Sequence, residues 1–185
     1  MNLASFKHHK QPQRFLLIFL TVFSFLAGGT YLFIGLIEPS GRFYVPWLAA
    51  NADFINPYIH LIIAVAKWML EILGYIADNK SHNQLQINNY NTVVLAYQCV
   101  GIGIISLWVA FVSADTISIM LKAKWILIGI FVITIINAAR IAILLIAHYE
   151  NWSFLTGVSH HDFYNYVVYT LFILLILIYT KYAKA

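Results

Sequence analysis

Long apolar runs, each near the length needed to cross a bilayer, alternate along this chain with short polar intervals. Four of them predict membrane-spanning helices, over residues 15–37, 99–121, 125–148 and 163–180. A fifth stretch, 54–77 ("FINPYIHLIIAVAKWMLEILGYIA"), is interrupted by His60, Lys67 and Glu71. Lys67 and Glu71 stand four apart on one helical face, the spacing of an ion pair. Such a segment can span, dip in and return, or lie along the interface. The polar, Asn-rich interval that follows, "DNKSHNQLQINNYNTVVLAYQ", alternates in a way that predicts a short hairpin near the membrane surface. The apolar runs are too long and plain for a β-barrel, whose strands alternate over about ten residues. The pattern predicts an all-α fold: a polytopic integral membrane helical bundle of about four to five membrane helices, plus an outer-face interfacial or re-entrant helix.

Composition agrees with that class. Of 185 residues, 62% are hydrophobic and 10% charged, with a mean hydropathy of +0.79, more apolar surface than a soluble domain of this size could hide. The net charge of +4 is modest and sits at segment ends, which suits membrane orientation better than nucleic-acid binding. The first thirty residues, with a basic leader and small residues near Ala27, imitate a signal peptide. Because the apolar run continues through Ile37, a retained helix is the main reading and a cleaved signal the second.

The basic residues also give a direction. Lys7, Lys10 and Arg14 precede the first span, Lys122 and Lys124 follow the second, and Lys181 and Lys184 follow the last. All seven fall on the cytoplasmic side if 54–77 does not cross; if it crosses, Lys122 and Lys124 move to the opposite side. The expected organisation is a single membrane domain, 1–185. It comprises a cytoplasmic leader (1–14), a first span (15–37), an outer-face segment with helix 54–77 (38–98) and a three-helix core (99–181).

Charge inside the apolar runs then becomes informative. Arg140 lies within "WILIGIFVITIINAARIAILLIAH", where an arginine costs roughly 2.5–3.5 kcal/mol on insertion scales. Asn137 lies one turn earlier on the same face. In the expected topology Cys99 opens the second span at its outer end, and His160 and His161 open the last span there too. A thiol, a guanidinium and an imidazole can therefore meet near the outer surface. A helix N-terminus and a nearby cation both favour the thiolate. Histidine can take the thiol proton and return it to a leaving amine, and arginine can stabilise an oxyanion. Gly101 and Gly103, just inside the helix, would let a neighbouring backbone or a substrate approach closely.

Each residue also has a plainer reading: Cys99 as a small core residue, Arg140 as a snorkelling or structural cation, His160 and His161 as interfacial polar groups. His148 is close enough to contribute, and Ser106, about two turns below Cys99, is a weaker candidate nucleophile. A single cysteine excludes an intramolecular disulfide framework and a multi-cysteine metal site. Without an HxxxH or HExxH pair, or a glycine-rich phosphate loop after a strand, no metal or other cofactor is expected.

Three motifs, "AYQCVGIGIISLWVAF", "INAARIAILL" and "SHHDFYNYVVYTLF", resemble those of the exosortase/archaeosortase family of multi-helix membrane cysteine enzymes. The family's Cys with a Gly two residues on is matched by Cys99 and Gly101, its Asn three before an Arg by Asn137 and Arg140. Its His with a small or amide residue four later is matched by His161 and Asn165, and that spacing favours His161 over His160. "NADFINPYIHLIIAVAKWMLEILGY" is similar to the segment before the cysteine motif in small members from Bacteroidetes-type bacteria. The likeness covers about residues 50–180, and this chain would be a minimal core beside the larger members.

The resemblance implies a transpeptidase or protease in the bacterial cytoplasmic (inner) membrane, its N-terminus cytoplasmic and its active site at the outer face. It would cleave an exported protein near a C-terminal transmembrane sorting signal through a thioester on Cys99, and pass the acyl group to an acceptor nucleophile that the sequence does not identify. Arg140 would stabilise the oxyanion or orient the thiolate, and His161 would act as base and then acid. The expected partners are that substrate and the lipid bilayer, and no nucleic acid. Two other readings stand beside it: a non-enzymatic membrane scaffold or export-machinery subunit, and a small channel or transporter using Arg140 as an anion site.

Overall fold

The computed structural model describes residues 3–39, 41–81, 83–88, 91–95, 97, 100–152 and 160–183, of which 3–11, 91 and 160–164 are described by backbone alone. The first apolar run forms one long helical rod: α1 (Leu3–Phe23), a π-helical turn (Ser24–Gly28) and α2 (Gly29–Ile37). The Thr30 hydroxyl donates to the Leu26 carbonyl, one turn back, at 2.7 Å. The rod stops at Glu38, which is extended because Pro39 follows it.

After a short helix α3 (Pro46–Asn51), Asp53 accepts from the backbone N–H groups of Ile55 and Asn56 at 2.9 and 3.0 Å and so starts α4 (Ile55–Ile72). The buried stripe of α4, Ile55, Ile59, Ile62, Ile63, Ala66 and Leu70, repeats at helical spacing and packs on α6 (Ile119–Tyr149). Near its start, Tyr58 shares a 2.9 Å hydrogen bond with Thr134; just past its end, Tyr75 donates to Glu150 at 3.3 Å. α4 therefore runs parallel to the second half of α6, beginning level with Thr134, about 22 Å before the end of α6 at 1.5 Å per residue.

The polar interval forms an antiparallel meander of three strands rather than a hairpin of two, β1 (Ala77–Ser81), β2 (Gln84–Ile87) and β3 (Asn91–Val94). Leu85 and Ile87 are buried, and β2 and β3 lie against α6. Lys67 reaches Glu71 at 3.8 Å, as its spacing predicts, and Asp78 at 3.9 Å.

One expected span is shorter than the sequence suggests. In place of a helix over 99–121, α5 covers only Ile102–Ala114, about 20 Å. Gly101 precedes it in the left-handed region (φ 80°), and Asp115 ends it in extended conformation, its carboxylate accepting from the Thr116 N–H at 2.7 Å. α6 begins earlier than expected because Ser118 caps it, and α7 covers His160–Tyr182. Among the described residues, four helical stretches are long and apolar enough to cross a membrane: Pro12–Ile37, Ile55–Ile72, Ile119–Tyr149 and Asn165–Tyr182. With this small sheet as its only β-structure among the described residues, the molecule is a polytopic helical membrane protein.

Two cores hold the bundle. One joins α4, the sheet, the end of α2 and the second half of α6 through Ile59, Ile63, Leu70, Leu85, Ala138 and Leu145. The other joins the end of α5, the first half of α6 and the second half of α7 through Trp108, Val112, Ile133, Phe172, Leu175 and Tyr179. Here the buried Tyr179 hydroxyl donates to Asp115 at 2.8 Å, the Trp108 indole to the Trp125 carbonyl at 3.0 Å, and Lys122 to the Ser113 carbonyl at 2.7 Å. Phe15 of α1 meets Phe111 edge-on at the same end, so the turn after α5, the start of α6, the end of α7 and the first part of α1 are gathered together.

Candidate functional site

A cavity of about 310 Å³ opens between α1–α2, α5, α6 and α7, lined by Gly101 and Gly103, by Asn137 and Arg140, and by Asn165. Phe23, Tyr31, Ile104, Leu107, Val168 and Tyr169 complete its wall. Five residues singled out in the sequence, Gly101, Gly103, Asn137, Arg140 and Asn165, thus share one cavity although they come from three separate parts of the chain.

The α5 side is built for close approach. A Cβ at Gly101 would sit 3.4 Å from Asn137 Nδ2, and one at Gly103 would sit 3.5 Å from the Tyr31 hydroxyl. The left-handed turn at Gly101 swings the chain from Val100 into the N-terminus of α5, whose first N–H groups carry the positive end of the helix dipole. Cys99 itself lies outside the described residues; in sequence it stands two positions before Gly101.

The α6 side supplies charge. Asn137 is buried, and Arg140 follows three residues later on the same face. The Arg140 Nε is buried and has no hydrogen-bond partner, and among the described residues no carboxylate pairs with the guanidinium. A buried polar atom left unsatisfied costs about 1–3 kcal/mol and calls for an explanation. A cavity walled by a cation and a helix N-terminus suits a group that is, or becomes, negatively charged.

On α7 the backbone places His161 in the first turn, four residues before Asn165. That interval returns to nearly the same helical face, whereas His160, five before Asn165, falls about 140° away at 3.6 residues per turn. The side chains of His160 and His161 lie outside the described residues. His148 does not reach the site: it lines a separate cavity of about 260 Å³ with Leu144, Ala147, Asn151 and Trp152. Nor does Ser106, which faces a third cavity of about 430 Å³ together with Thr30, Ile55 and Tyr58, on the opposite side of α5 from Gly103, Ile104 and Leu107.

Phe23, Tyr31 and Tyr169 were not singled out in the sequence. In an uninterrupted α-helix Phe23 and Tyr31 would point about 80° apart; the extra residue of the π turn between them brings both to the cavity. At the rim of the sheet, burial above all, and then the negative charges of Asp53 and Glu38, raise the pKa of the Tyr97 phenol, two residues before Cys99, so it remains a hydrogen-bond donor.

No curated protein and no solved structure matches the chain. The family model of the transmembrane exosortases matches residues 8–178, which includes every side of this cavity, and the chain therefore belongs to the transmembrane exosortase family, as a multi-pass membrane protein.

Proposed function

We propose that the protein is a cysteine transpeptidase or protease of the bacterial cytoplasmic membrane, acting on exported proteins beside a C-terminal transmembrane sorting signal. Family membership supports a transpeptidase-type role in general. The observation that carries the specific reading is the part-buried Arg140, its Nε without a hydrogen-bond partner, in a cavity shared with Gly101, Asn137 and Asn165.

In this mechanism Cys99, its thiolate favoured by the N-terminus of α5 and the Arg140 guanidinium, gives up its proton to His161. Its thiolate attacks the scissile carbonyl, and Arg140 either steadies the thiolate or stabilises the oxyanion that forms. His161 then protonates the leaving amine, the C–N bond breaks, and a thioester remains on Cys99. An acceptor nucleophile releases the acyl group; with water the outcome is hydrolysis. Asn137 holds the geometry of Arg140 from one turn away, and His160 is the alternative base.

The active site belongs at the outer face, with the N-terminus cytoplasmic. Supporting this, Lys122, the end of α7 that leads into Lys181, and the part of α1 following Arg14 lie at one end of the bundle, as the positive-inside rule asks of a cytoplasmic end. Helix α4, starting level with Thr134 and ending with α6, fits a re-entrant helix that enters and leaves at the outer face. The test is substrate processing in cells carrying Cys99→Ala: substrate accumulates with its C-terminal helix attached. The scaffold reading predicts instead that Cys99→Ser and Arg140→Lys are tolerated.

A further inference from the structure

Tyr31 of α2 lines the same cavity as Arg140 and brings a hydroxyl into its wall. The tyrosine hydroxyls that hold the fold together have partners in the chain: Tyr58 with Thr134, Tyr75 with Glu150, Tyr149 with Asn88 and Tyr179 with Asp115. Among the described residues the Tyr31 hydroxyl has none. It lies beside the first turn of α5, 3.5 Å from the point a Cβ on Gly103 would occupy, so no side chain covers it from residue 103. A phenol O–H surrounded by apolar groups is costly to leave unpaired, and Tyr31 is half-exposed, within reach of a molecule entering the cavity.

The position is set by the π turn. A tyrosine near the end of a membrane helix ordinarily serves the aromatic belt, its hydroxyl toward the headgroups. In an uninterrupted α-helix the residue sharing the face of Phe23 would be Thr30, seven positions on and about 20° away, with Tyr31 turned about 80° aside. The extra residue within Ser24–Gly28 exchanges the two. Tyr31 joins Phe23 at the Arg140 cavity, and Thr30 faces the cavity of Ser106, its hydroxyl bonded to the Leu26 carbonyl. Single π turns of this kind occur mostly at functional sites.

We propose that Tyr31 is a further catalytic residue of the transpeptidase reaction, its hydroxyl donating a hydrogen bond to the scissile carbonyl oxygen of the substrate as negative charge forms there. The two glycines at the start of α5 show how it works beside Arg140. Gly101 faces Asn137, one turn before Arg140, and Gly103 faces Tyr31, so α6 and α2 bring their donors to one cavity from two flanks of the same turn. The phenol keeps its proton throughout, and proton transfer stays with His161. The inference rests on the transpeptidase reading above and adds a donor that reading does not contain.

Tyr31→Phe tests it, because it keeps the ring and removes only the hydroxyl. The probe is an exported protein that retains its C-terminal helix in Cys99→Ala cells, purified in that form and presented to the full-length enzyme in nanodiscs. The expected result is a fall in kcat of about 10²-fold with KM changed less than about twofold, since an oxyanion donor acts only as charge forms. Thermal unfolding should be unchanged, because the hydroxyl has no partner in the chain to lose. Thr30→Val, which removes the neighbouring hydroxyl from the other cavity, should leave both constants within about twofold. Undiminished kcat in Tyr31→Phe, or a raised KM with kcat intact, overturns the proposal. So does a loss of turnover matched by a lower unfolding temperature, or an equal loss in Thr30→Val. None of these results touches the enzyme reading. That reading fails separately if no exported protein accumulates in Cys99→Ala cells, and the role of Tyr31 then falls with it.

Discussion

Gly101 and Asn137 meet where α5 begins, with the Asn137 amide nitrogen 3.4 Å from the point a Cβ on residue 101 would occupy. Because Gly101 is also left-handed, an L side chain there is strained by about 1–2 kcal/mol before it meets its neighbour. Gly101→Ala is therefore expected to lower the unfolding free energy by that amount and to cut processing more steeply, since Gly101 lines the candidate cavity. Thermal unfolding in detergent and a processing assay measure the two effects separately.

Arg140 makes the opposite prediction about stability. Its Nε has no partner to lose, so Arg140→Ala should leave unfolding unchanged or slightly favour the fold. Processing should fall about 10²–10³-fold, the usual effect of losing an oxyanion donor. Arg140→Lys should recover little, because an ammonium does not reproduce the planar fork. Full activity of the lysine variant would mean that charge alone suffices.

At the other end of the bundle the Trp108 indole lies where a Cβ on residue 129 would be. Gly129→Ala should therefore cost about 1–3 kcal/mol by overpacking. Adding Trp108→Ala, which removes the clashing indole, should recover part of it. A double-mutant cycle on thermal unfolding reads the coupling, and additive effects would place the clash elsewhere.

Much of the fold is legible in local pattern, because a spanning helix needs only a long enough apolar run. The pairing of Asn137 with Arg140 is legible for the same reason, by helical spacing. The limits of α5 are not. Counting turns from Cys99 sets Ser106 below the thiol, but the helix starts only at Ile102, after the chain has turned at Gly101, and Ser106 faces the other way. The α4–α6 pairing rests on Tyr58 and Thr134, 76 residues apart, a contact that no short-range spacing encodes. Phe23 and Tyr31 share the cavity only because of a π turn that has no composition of its own, and aromatic residues in membrane helices look alike in sequence.

The orientation is open to a direct check, since Cys99 is the only cysteine. In a Cys99→Ser background, a cysteine at Asn79 in the sheet should react with a membrane-impermeant maleimide from outside intact cells. One at Lys124 should react only after permeabilisation. Labelling of both from the same side would contradict the proposed topology.

The central claim is that Cys99 carries the acyl group. Intact-protein mass spectrometry of the enzyme isolated from cells with its substrate, quenched in acid, measures this directly. The account predicts a hydroxylamine-sensitive mass addition that maps to the peptide containing Cys99, is absent from Cys99→Ala and is strongly reduced in Arg140→Ala and His161→Ala. Substrate processed at the normal rate by Cys99→Ala, with no adduct on the wild-type thiol, would contradict it.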